Sequence, residues 1–432
     1  MLGIGSLRKT VASTGLSSQP RIGWLDGLRG VAAVQVVLLH YASAFLPAIG
    51  LLYRPFLHFD WELQFVWTPL FLPFDGYLAV NIFFVLSGVA LTHSFSASPF
   101  ALLRGLVRRA IRLGLPMAAA LLFGALLLLR FPNAHLAAAV RSGSQLWLGV
   151  SAPTSVSVKE VIHQVVFEGM FTGYSGNSFL PVKLDTWIKP VSSFESFNGP
   201  LWTLHIEFCG SLLVLILVAL RALVWRWMHL VICVAFCYYF VATSLFLFVV
   251  GHLVTPWLGR ASGRGWQMVT GGALMLAGAE LSYQEELPHL ITVLFSGLPP
   301  PPLGQGLKLF GFQQALSAIL IFAGVALLPI FQRGLETRAV RWLGKISFSL
   351  YLTHFPILCT IICALFVFLT SRISYGMTVT AVVIVGITVS LAVASAFEHW
   401  IDGPAIKLSR WLGRLGSGER EQSPDVVADE NG

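Results

Sequence analysis

The stretch GWLDGLRGVAAVQVVLLHYASAFLPAIGLL, residues 23–52, governs the fold, because it contains no Asp, Glu, Lys or Arg from Val31 onward. A helix of about 20 apolar residues crosses the ~30 Å hydrocarbon core of a bilayer. Runs of similar character recur near residues 76–95, 113–130, 201–220, 266–282, 309–331, 346–369 and 376–398. The pattern predicts an all-α polytopic membrane protein.

The composition favours one membrane-embedded unit over several soluble domains. Of the 432 residues, 56% are hydrophobic and 11% charged, and the mean hydropathy is +0.77. The net charge of +8 would suggest nucleic acid in a soluble protein. Here the basic residues fall in short gaps between apolar runs, a pattern that sets membrane orientation. We therefore expect the lipid bilayer as the surroundings and no nucleic-acid partner.

The uncharged segment 229–258 decides the number of predicted spans. It forms either one long tilted helix or two short helices that fold back at Ala242–Ser244. With two crossings, all the basic clusters fall on the cytoplasmic side, as the positive-inside rule requires. We therefore predict about ten transmembrane helices with both termini in the cytoplasm.

The same orientation divides the chain into four parts. Residues 1–22 are predicted to form a cytoplasmic tail and residues 23–412 the transmembrane domain. Within it, residues 131–200 form an outer-face loop region whose aromatic residues cover or line an entrance. Residues 413–432 are polar and acidic, which predicts a disordered cytoplasmic tail.

All five cysteines lie inside apolar segments. Cys233 and Cys237 are four residues apart, as are Cys359 and Cys363, so each pair shares one helix face. We interpret them as packing residues and predict neither a disulfide framework nor a metal site. No permanently bound cofactor is expected.

Titratable residues within apolar runs are candidate functional groups, because charge is costly in lipid. His40 lies in the first run, Glu207 in the fourth and His354 near the end of the chain. Arg29 precedes His40 by eleven residues, about three turns, so both lie on one helix face ~16 Å apart. A neutral imidazole can accept a hydroxyl proton, and Glu207 is the natural residue to orient it. Alternatively, His40 is a core histidine bonded to a carbonyl.

Four motifs make the chain resemble the acyltransferase-3 family of membrane proteins, which O-acylate carbohydrates and other extracytoplasmic molecules. WLDGLRGVAA at 24–33, continuing to His40, resembles the opening motif, with ten residues between its Arg and His. NIFFVLSG at 81–88 resembles the second motif, although Asn81 stands where Asp is common. GPLWTLHIE at 199–207 is similar to a Trp-Ser-Leu-x-x-Glu element, and WLGKISFSLYLTH at 342–354 is similar to the late motif ending in His.

The resemblance implies transfer of an acyl group, commonly acetyl, from cytoplasmic acyl-CoA to a hydroxyl of a carbohydrate or lipid-linked glycan. His40, Glu207 and His354 are then the catalytic candidates, with His40 acting either as general base or as transient acyl carrier. Basic side chains on the cytoplasmic face either bind the phosphates of coenzyme A or only set topology. These residues are Arg29, Arg104, Arg108, Arg109 and Arg112; the further binding candidates are Asp26, Asn81, Trp202, Ser349 and Tyr351.

A transporter or flippase for a glycoside or an acylated molecule is the alternative from another functional class. In that case His40, Glu207 and His354 would form a proton relay. The resemblance further implies location in a bacterial inner membrane. The sequence specifies neither the acceptor, the acyl chain length nor the oligomeric state.

Overall fold

The computed structural model describes residues 22–50, 56–95, 99–174, 192–259, 263–283 and 309–414, and this part of the chain is helical. Fourteen helices are labelled here in chain order. They are α1 Gly23–Phe45, α2 Gly76–Ser94, α3 Pro99–Arg130, α4 Ala134–Ser142, α5 Trp202–Leu223, α6 Arg226–Phe240, α7 Leu245–Val254, α8 Gly265–Tyr283, α9 Leu309–Leu327, α10 Pro329–Leu335, α11 Arg338–Ile357, α12 Cys363–Thr370, α13 Tyr375–Phe397 and α14 Gly403–Arg414.

Shorter helical turns connect these elements. α-Helical turns are Pro47–Gly50, Glu62–Val66 and Val158–His163; 3₁₀ turns are Pro69–Phe74, Leu148–Val150, Ser193–Glu195, Gly199–Leu201 and Thr255–Trp257; π-helical segments are Gln164–Thr172, Leu358–Ile362 and Glu398–Asp402. The last two π segments join α11 to α12 and α13 to α14 into long continuous rods.

Six helices among the described residues are long and apolar enough to cross a membrane. They are Gly23–Phe45, Gly76–Ser94, Leu103–Arg130, Gly199–Leu223, Arg338–Thr370 and Tyr375–Leu412. A seventh is counted if the pair Gly311–Leu327 and Pro329–Leu335 is one span, although the two helices meet at 96°. The polytopic all-α class is thus confirmed, whereas the ten predicted spans are not.

The segment 229–258 forms two short helices. α6 has 15 residues and α7 has 10, with a turn over residues 241–244 between them. This is the folded-back arrangement, and both helices are shorter than a straight crossing requires. Length therefore explains why this segment adds no full span to the count.

α1 and α11 are in backbone contact, and glycine makes this possible. A Cβ on Gly30 would lie closer than 3.0 Å to the backbone of Leu343 and Gly344, and one on Gly344 would collide with the carbonyl of Asp26. Small residues let membrane helices approach closely in this way. The contact fixes the relative position of the two helices that carry His40 and His354.

Pro356 interrupts the hydrogen-bond ladder of α11 just beyond His354. Proline has no N–H, so the carbonyl of Leu352 loses its partner four residues on. The side-chain amide of Asn198 donates to that carbonyl at 2.7 Å. The segment that leads into α5 is thereby attached to α11 beside the candidate site.

Parts of the predicted tails and outer region fall outside the described residues. These are residues 1–21, 175–191 and 415–432. Within 131–174, α4 packs against α12, and Arg141 donates to the hydroxyl of Thr370 at 2.7 Å. The outer-face location of residues 131–200 stays a prediction.

Candidate active site

Two histidines from different helices form the centre of the site. His40 Nδ1 on α1 lies 2.8 Å from His354 Nε2 on α11. The ring centroids are 5.0 Å apart and the rings are nearly parallel, at 8°. His354 is fully buried, whereas His40 is half-buried. The sequence motifs that contain these residues are 314 positions apart, and the α1–α11 contact brings them together.

The hydrogen bonds assign the tautomers of the neutral pair. His354 Nδ1 lies 2.9 Å from the carbonyl of Leu350, which can only accept, so Nδ1 carries the proton. His354 Nε2 is then unprotonated and accepts from His40 Nδ1–H. It follows that His40 Nε2 holds a free lone pair, as a general base requires.

His40 lines a cavity that we call the histidine cavity, which has a volume of about 840 Å³. Aromatic side chains make up much of its wall, with Tyr77, Trp147, Trp202 and Phe355 beside His40. Trp147 stacks on the His40 ring at 5.7 Å between centroids and 26°. Phe355 meets the same ring edge-on at 5.1 Å. These contacts hold the imidazole plane while leaving it accessible from the cavity.

A second cavity of about 620 Å³, the arginine cavity, is lined by the side chains of Arg29, Arg109, Arg112 and Glu207. Glu207 forms an ion pair with Arg109 and accepts from Ser87 Oγ at 2.7 Å. One carboxylate thus faces three guanidinium groups. The net positive charge suits an anionic ligand, because guanidinium binds phosphate oxygens well.

Tyr351 and Val80 line both cavities and form part of the wall between them. The Tyr351 hydroxyl donates to the carbonyl of Pro200 at 2.7 Å. The same hydroxyl lies 2.8 Å from Thr203 Oγ1, at hydrogen-bond distance. Two bonds therefore hold the Tyr351 ring in place between the cavities.

The structure divides the predicted site residues into three groups. His40, Trp202 and Tyr351 line the histidine cavity, and His354 contacts His40 directly. Glu207 lies with Arg29, Arg109 and Arg112 in the arginine cavity, not against His40. The predicted site residues that line neither of these two cavities are His354, which lies against His40, and Asp26, Asn81, Arg104, Arg108 and Ser349.

The position of Glu207 differs from the sequence hypothesis that it orients His40. A carboxylate away from water needs a charged partner, and Arg109 on the adjacent α3 provides one. His354 takes the place beside His40 that was expected for Glu207. Asn81 bonds within its own helix, donating to the carbonyl of Tyr77 at 3.1 Å.

Sequence reasoning did not single out Trp147 and Ser87. Trp147 belongs to the predicted outer region, and its only signal is that it is one of the aromatic residues there. Ser87 lies within the NIFFVLSG motif, one residue before its final glycine. Their roles follow only from contacts with His40 and Glu207 across the fold.

Comparison with known proteins identifies the family of this chain. The family model described as an acyltransferase domain, that of the acyltransferase-3 family, matches residues 22–398. The O-acetyltransferase PaAT-1 of Phomopsis amygdali is 24% identical to the chain, over 90% of this chain and 84% of that protein. No solved structure shows significant similarity. The chain therefore belongs to the acyltransferase-3 family and is an integral membrane enzyme that transfers acyl groups.

Proposed function

We propose that this enzyme is an O-acetyltransferase that moves an acetyl group from cytoplasmic acetyl-CoA to a hydroxyl group of a carbohydrate or a lipid-linked glycan. The observation that carries the proposal is the unprotonated His40 Nε2, which lines an aromatic cavity next to a cavity rich in arginine. The name of the relative, an O-acetyltransferase, supports both the acetyl group and the hydroxyl acceptor.

The arginine cavity is the proposed entry for the donor. Arg29, Arg109 and Arg112 line it, and Arg112 is exposed. Guanidinium groups bind phosphate oxygens in bidentate geometry, so they would hold the phosphates of acetyl-CoA at the inner surface. The thioester arm would then extend past Tyr351 toward His40.

The histidine cavity is the proposed site of the acceptor. Trp147 and Trp202 present flat apolar faces that suit the C–H faces of a sugar ring. Ser151 lines the same cavity; its hydroxyl donates to the carbonyl of Trp147 at 2.6 Å, and its oxygen can accept a hydrogen bond from a sugar hydroxyl. This mixture supports a carbohydrate over a purely apolar acceptor.

In the proposed reaction, His40 Nε2 removes the proton from the acceptor hydroxyl as its oxygen attacks the thioester carbonyl carbon. The C–O bond forms, the C–S bond breaks, and the leaving thiolate takes up the proton held on His40 Nε2, which returns the imidazole to its neutral form. The imidazolium that forms on His40 donates its Nδ1–H to His354, and a charge-assisted bond of this kind is stronger than a neutral one. His354 is thus a positioning residue that also stabilises the charge on His40.

Covalent catalysis would use the same nitrogen differently. His40 Nε2 would attack the thioester carbon itself, release coenzyme A and form an acetyl-imidazole that the acceptor hydroxyl then cleaves. Labelled acetyl-CoA added without acceptor and rapidly quenched separates the two routes. Protein-bound label that is absent from His40→Ala supports the acyl carrier, whereas unlabelled wild type supports the general base.

The decisive experiment measures radiolabelled acetyl transfer from acetyl-CoA into the glycan and lipid fractions of membranes with matched expression. Wild type is expected to label a product and His40→Ala is expected not to. His93→Ala is the matched control, because His93 is an exposed histidine at the end of α2. Equal labelling by wild type and His40→Ala would refute the role of His40. Substrate flux without acetyl transfer would favour the transporter alternative.

The membrane of residence stays a prediction. The bacterial inner membrane follows from the resemblance alone, and the similar O-acetyltransferase is from a fungus. Fractionation of the native cells, with detection of the chain in each membrane, tests it directly.

A further inference from the structure

A second cluster of titratable side chains lies in the short helical hairpin, apart from both cavities. His229 and Cys233 occupy adjacent turns of α6, and His252 comes from α7. They are 7%, 0% and 2% exposed. One ligand atom from each residue lies within 4.8 Å of the others.

The bonds of His252 leave one of its ring nitrogens free to face the cluster. Thr92 Oγ1 donates to the carbonyl of Gly88 at 2.7 Å, so its hydroxyl proton is already used. The 2.8 Å contact between Thr92 Oγ1 and His252 Nδ1 must then be donated by Nδ1–H. Nε2 of the neutral ring consequently carries a lone pair.

His229 follows the same logic with the opposite nitrogen. Its Nε2 lies 3.2 Å from the carbonyl of Leu217, which can only accept, so Nε2 carries the proton. Nδ1 is therefore the lone-pair nitrogen. The Cys233 sulfur lies 3.8 Å from this Nδ1 and 3.7 Å from Nε2, beside the ring.

We propose that His229 Nδ1, Cys233 Sγ and His252 Nε2 bind a zinc ion. Histidines that bind metals donate their other ring nitrogen to an oxygen, which fixes the tautomer and the ring orientation, and both rings here do so. Zinc takes imidazole nitrogens at about 2.0–2.1 Å and thiolate sulfur at about 2.3 Å. A tetrahedral ion with these bond lengths needs ligand atoms about 3.3–3.6 Å apart. The three atoms, which lie within 4.8 Å of one another, must therefore approach by up to about 1.5 Å, and a water molecule completes the tetrahedron.

Burial of Cys233 opposes ionisation of its thiol, and the charge of Arg221 favours ionisation to a smaller extent. Arg221 lies close enough to act electrostatically on all three residues. A guanidinium favours the deprotonated thiol, which is the form that binds metal. The same charge opposes a bare cation, so the thiolate is needed for binding and Cys233 is the ligand whose loss matters most.

The proposed ion has a structural role. It joins α6 to α7, two helices that are too short to cross the bilayer on their own. Hydrogen bonds from the two histidine rings reach Thr92 on α2 and the carbonyl of Leu217 on α5, so four helices are connected through the site. The inference does not depend on the acetyltransferase proposal, because no residue of either cavity takes part.

Metal content of the full-length chain tests the proposal directly. The protein is purified in detergent with any affinity tag removed, dialysed against micromolar zinc and then against metal-free buffer, and analysed for zinc and copper. We expect about one zinc per chain in wild type and in Cys237→Ala, the matched cysteine one turn further along α6, but less than about a tenth of that in Cys233→Ala and His252→Ala. Thr92→Val is expected to lower the zinc affinity about 10- to 100-fold.

Cobalt gives an independent measurement on wild type, which keeps the test valid if a variant fails to fold. Apo protein titrated with Co²⁺ should show a thiolate-to-cobalt charge-transfer band with the visible bands of a four-coordinate ion. Zinc retained equally by Cys233→Ala, no zinc in wild type, copper bound in its place, or a cobalt spectrum without the thiolate band would each overturn the assignment.

Discussion

Replacing His354 with alanine removes the acceptor of His40 Nδ1–H while leaving the arginine cavity intact. The 2.8 Å bond between the rings is lost, so His40 is no longer held in the tautomer that keeps Nε2 unprotonated. A hydrogen bond to a charged group contributes about 1.5–3 kcal/mol. This bond is charge-assisted once His40 has taken the proton, and the ground-state tautomer preference adds about 0.5–1 kcal/mol.

Together these effects predict a loss of roughly 2–4 kcal/mol of transition-state stabilisation. At 1.36 kcal/mol for each factor of ten, kcat falls by about 30- to 1,000-fold. The KM for acetyl-CoA should stay within about twofold of wild type, because the guanidinium groups lie across the Tyr351 wall. His354→Gln, whose amide oxygen can accept from Nδ1–H, should recover at least about tenfold of the lost kcat.

The assay is acetyl transfer in detergent or proteoliposomes at varied acetyl-CoA, with the pH profile of kcat recorded for each variant. A fall in kcat of less than threefold for His354→Ala would refute the argument. So would a change confined to KM, or a His354→Gln variant no better than alanine. Any of these results would mean that the histidine pair does not act on the chemical step.

Three other perturbations follow from the structure. Arg112→Gln removes one of three guanidinium groups in the arginine cavity. Because a charged hydrogen bond contributes about 1.5 kcal/mol, the KM for acetyl-CoA should rise about 10-fold with little change in kcat. Initial-rate kinetics measure both constants. Gly88→Ala places a methyl group closer than 3.0 Å to the backbone of Phe248 and should cost about 1–3 kcal/mol of stability. The control variant Gly272→Ala meets nothing within 4 Å and should not lower the melting temperature. Equal melting temperatures for the two variants would contradict the tight α2–α7 contact. Burial raises the pKa of Asp75, which precedes α2, from 3.8 to about 6, so the folded state favours the neutral carboxyl. The resulting stabilisation of the folded state is roughly 3 kcal/mol. It is complete below pH 3.8 and is lost as the pH rises through 6. Thermal unfolding should therefore show wild type gaining stability relative to Asp75→Asn between pH 7 and pH 4, and a difference independent of pH would refute this.

The fold class followed from the sequence because long apolar runs have one stable arrangement in lipid. The number of spans did not follow, since run length does not reveal where a helix bends. Residues 309–331 contain no charged residue, yet the chain turns by 96° where Pro329 begins α10. Proline favours the first turn of a helix, so this residue could have predicted the break.

Helical spacing predicts which residues of one motif share a cavity, but it does not predict which residues of different motifs meet. Trp202 and Glu207 are five residues apart on α5, which separates them by about 140° around the axis. They therefore line different cavities, Trp202 with His40 and Glu207 with the arginines. Thr203 is four residues from Glu207 and lines the same cavity as Glu207. Spacing alone could have shown that Trp202 and Glu207 do not act at one point.

The partner of His40 could not be derived from spacing, because it lies on a helix 314 positions away. The proposed zinc site, in contrast, has a signal in the sequence beside one of the cysteine pairs. His229 precedes Cys233 by four residues, which places a nitrogen and a sulfur ligand on one helix face. Only His252 required the three-dimensional fold.

The glycine contacts between α1 and α11 have a consequence for how this enzyme can move. Gly30 and Gly344 bring the two backbones together without intervening side chains. Sliding or rocking of one helix against the other would break this contact. An alternating-access cycle driven by separating these two rods is therefore incompatible with an intact histidine pair. Under the proposed function, the acetyl group would pass between the two cavities while the helices that carry the imidazoles keep their contact.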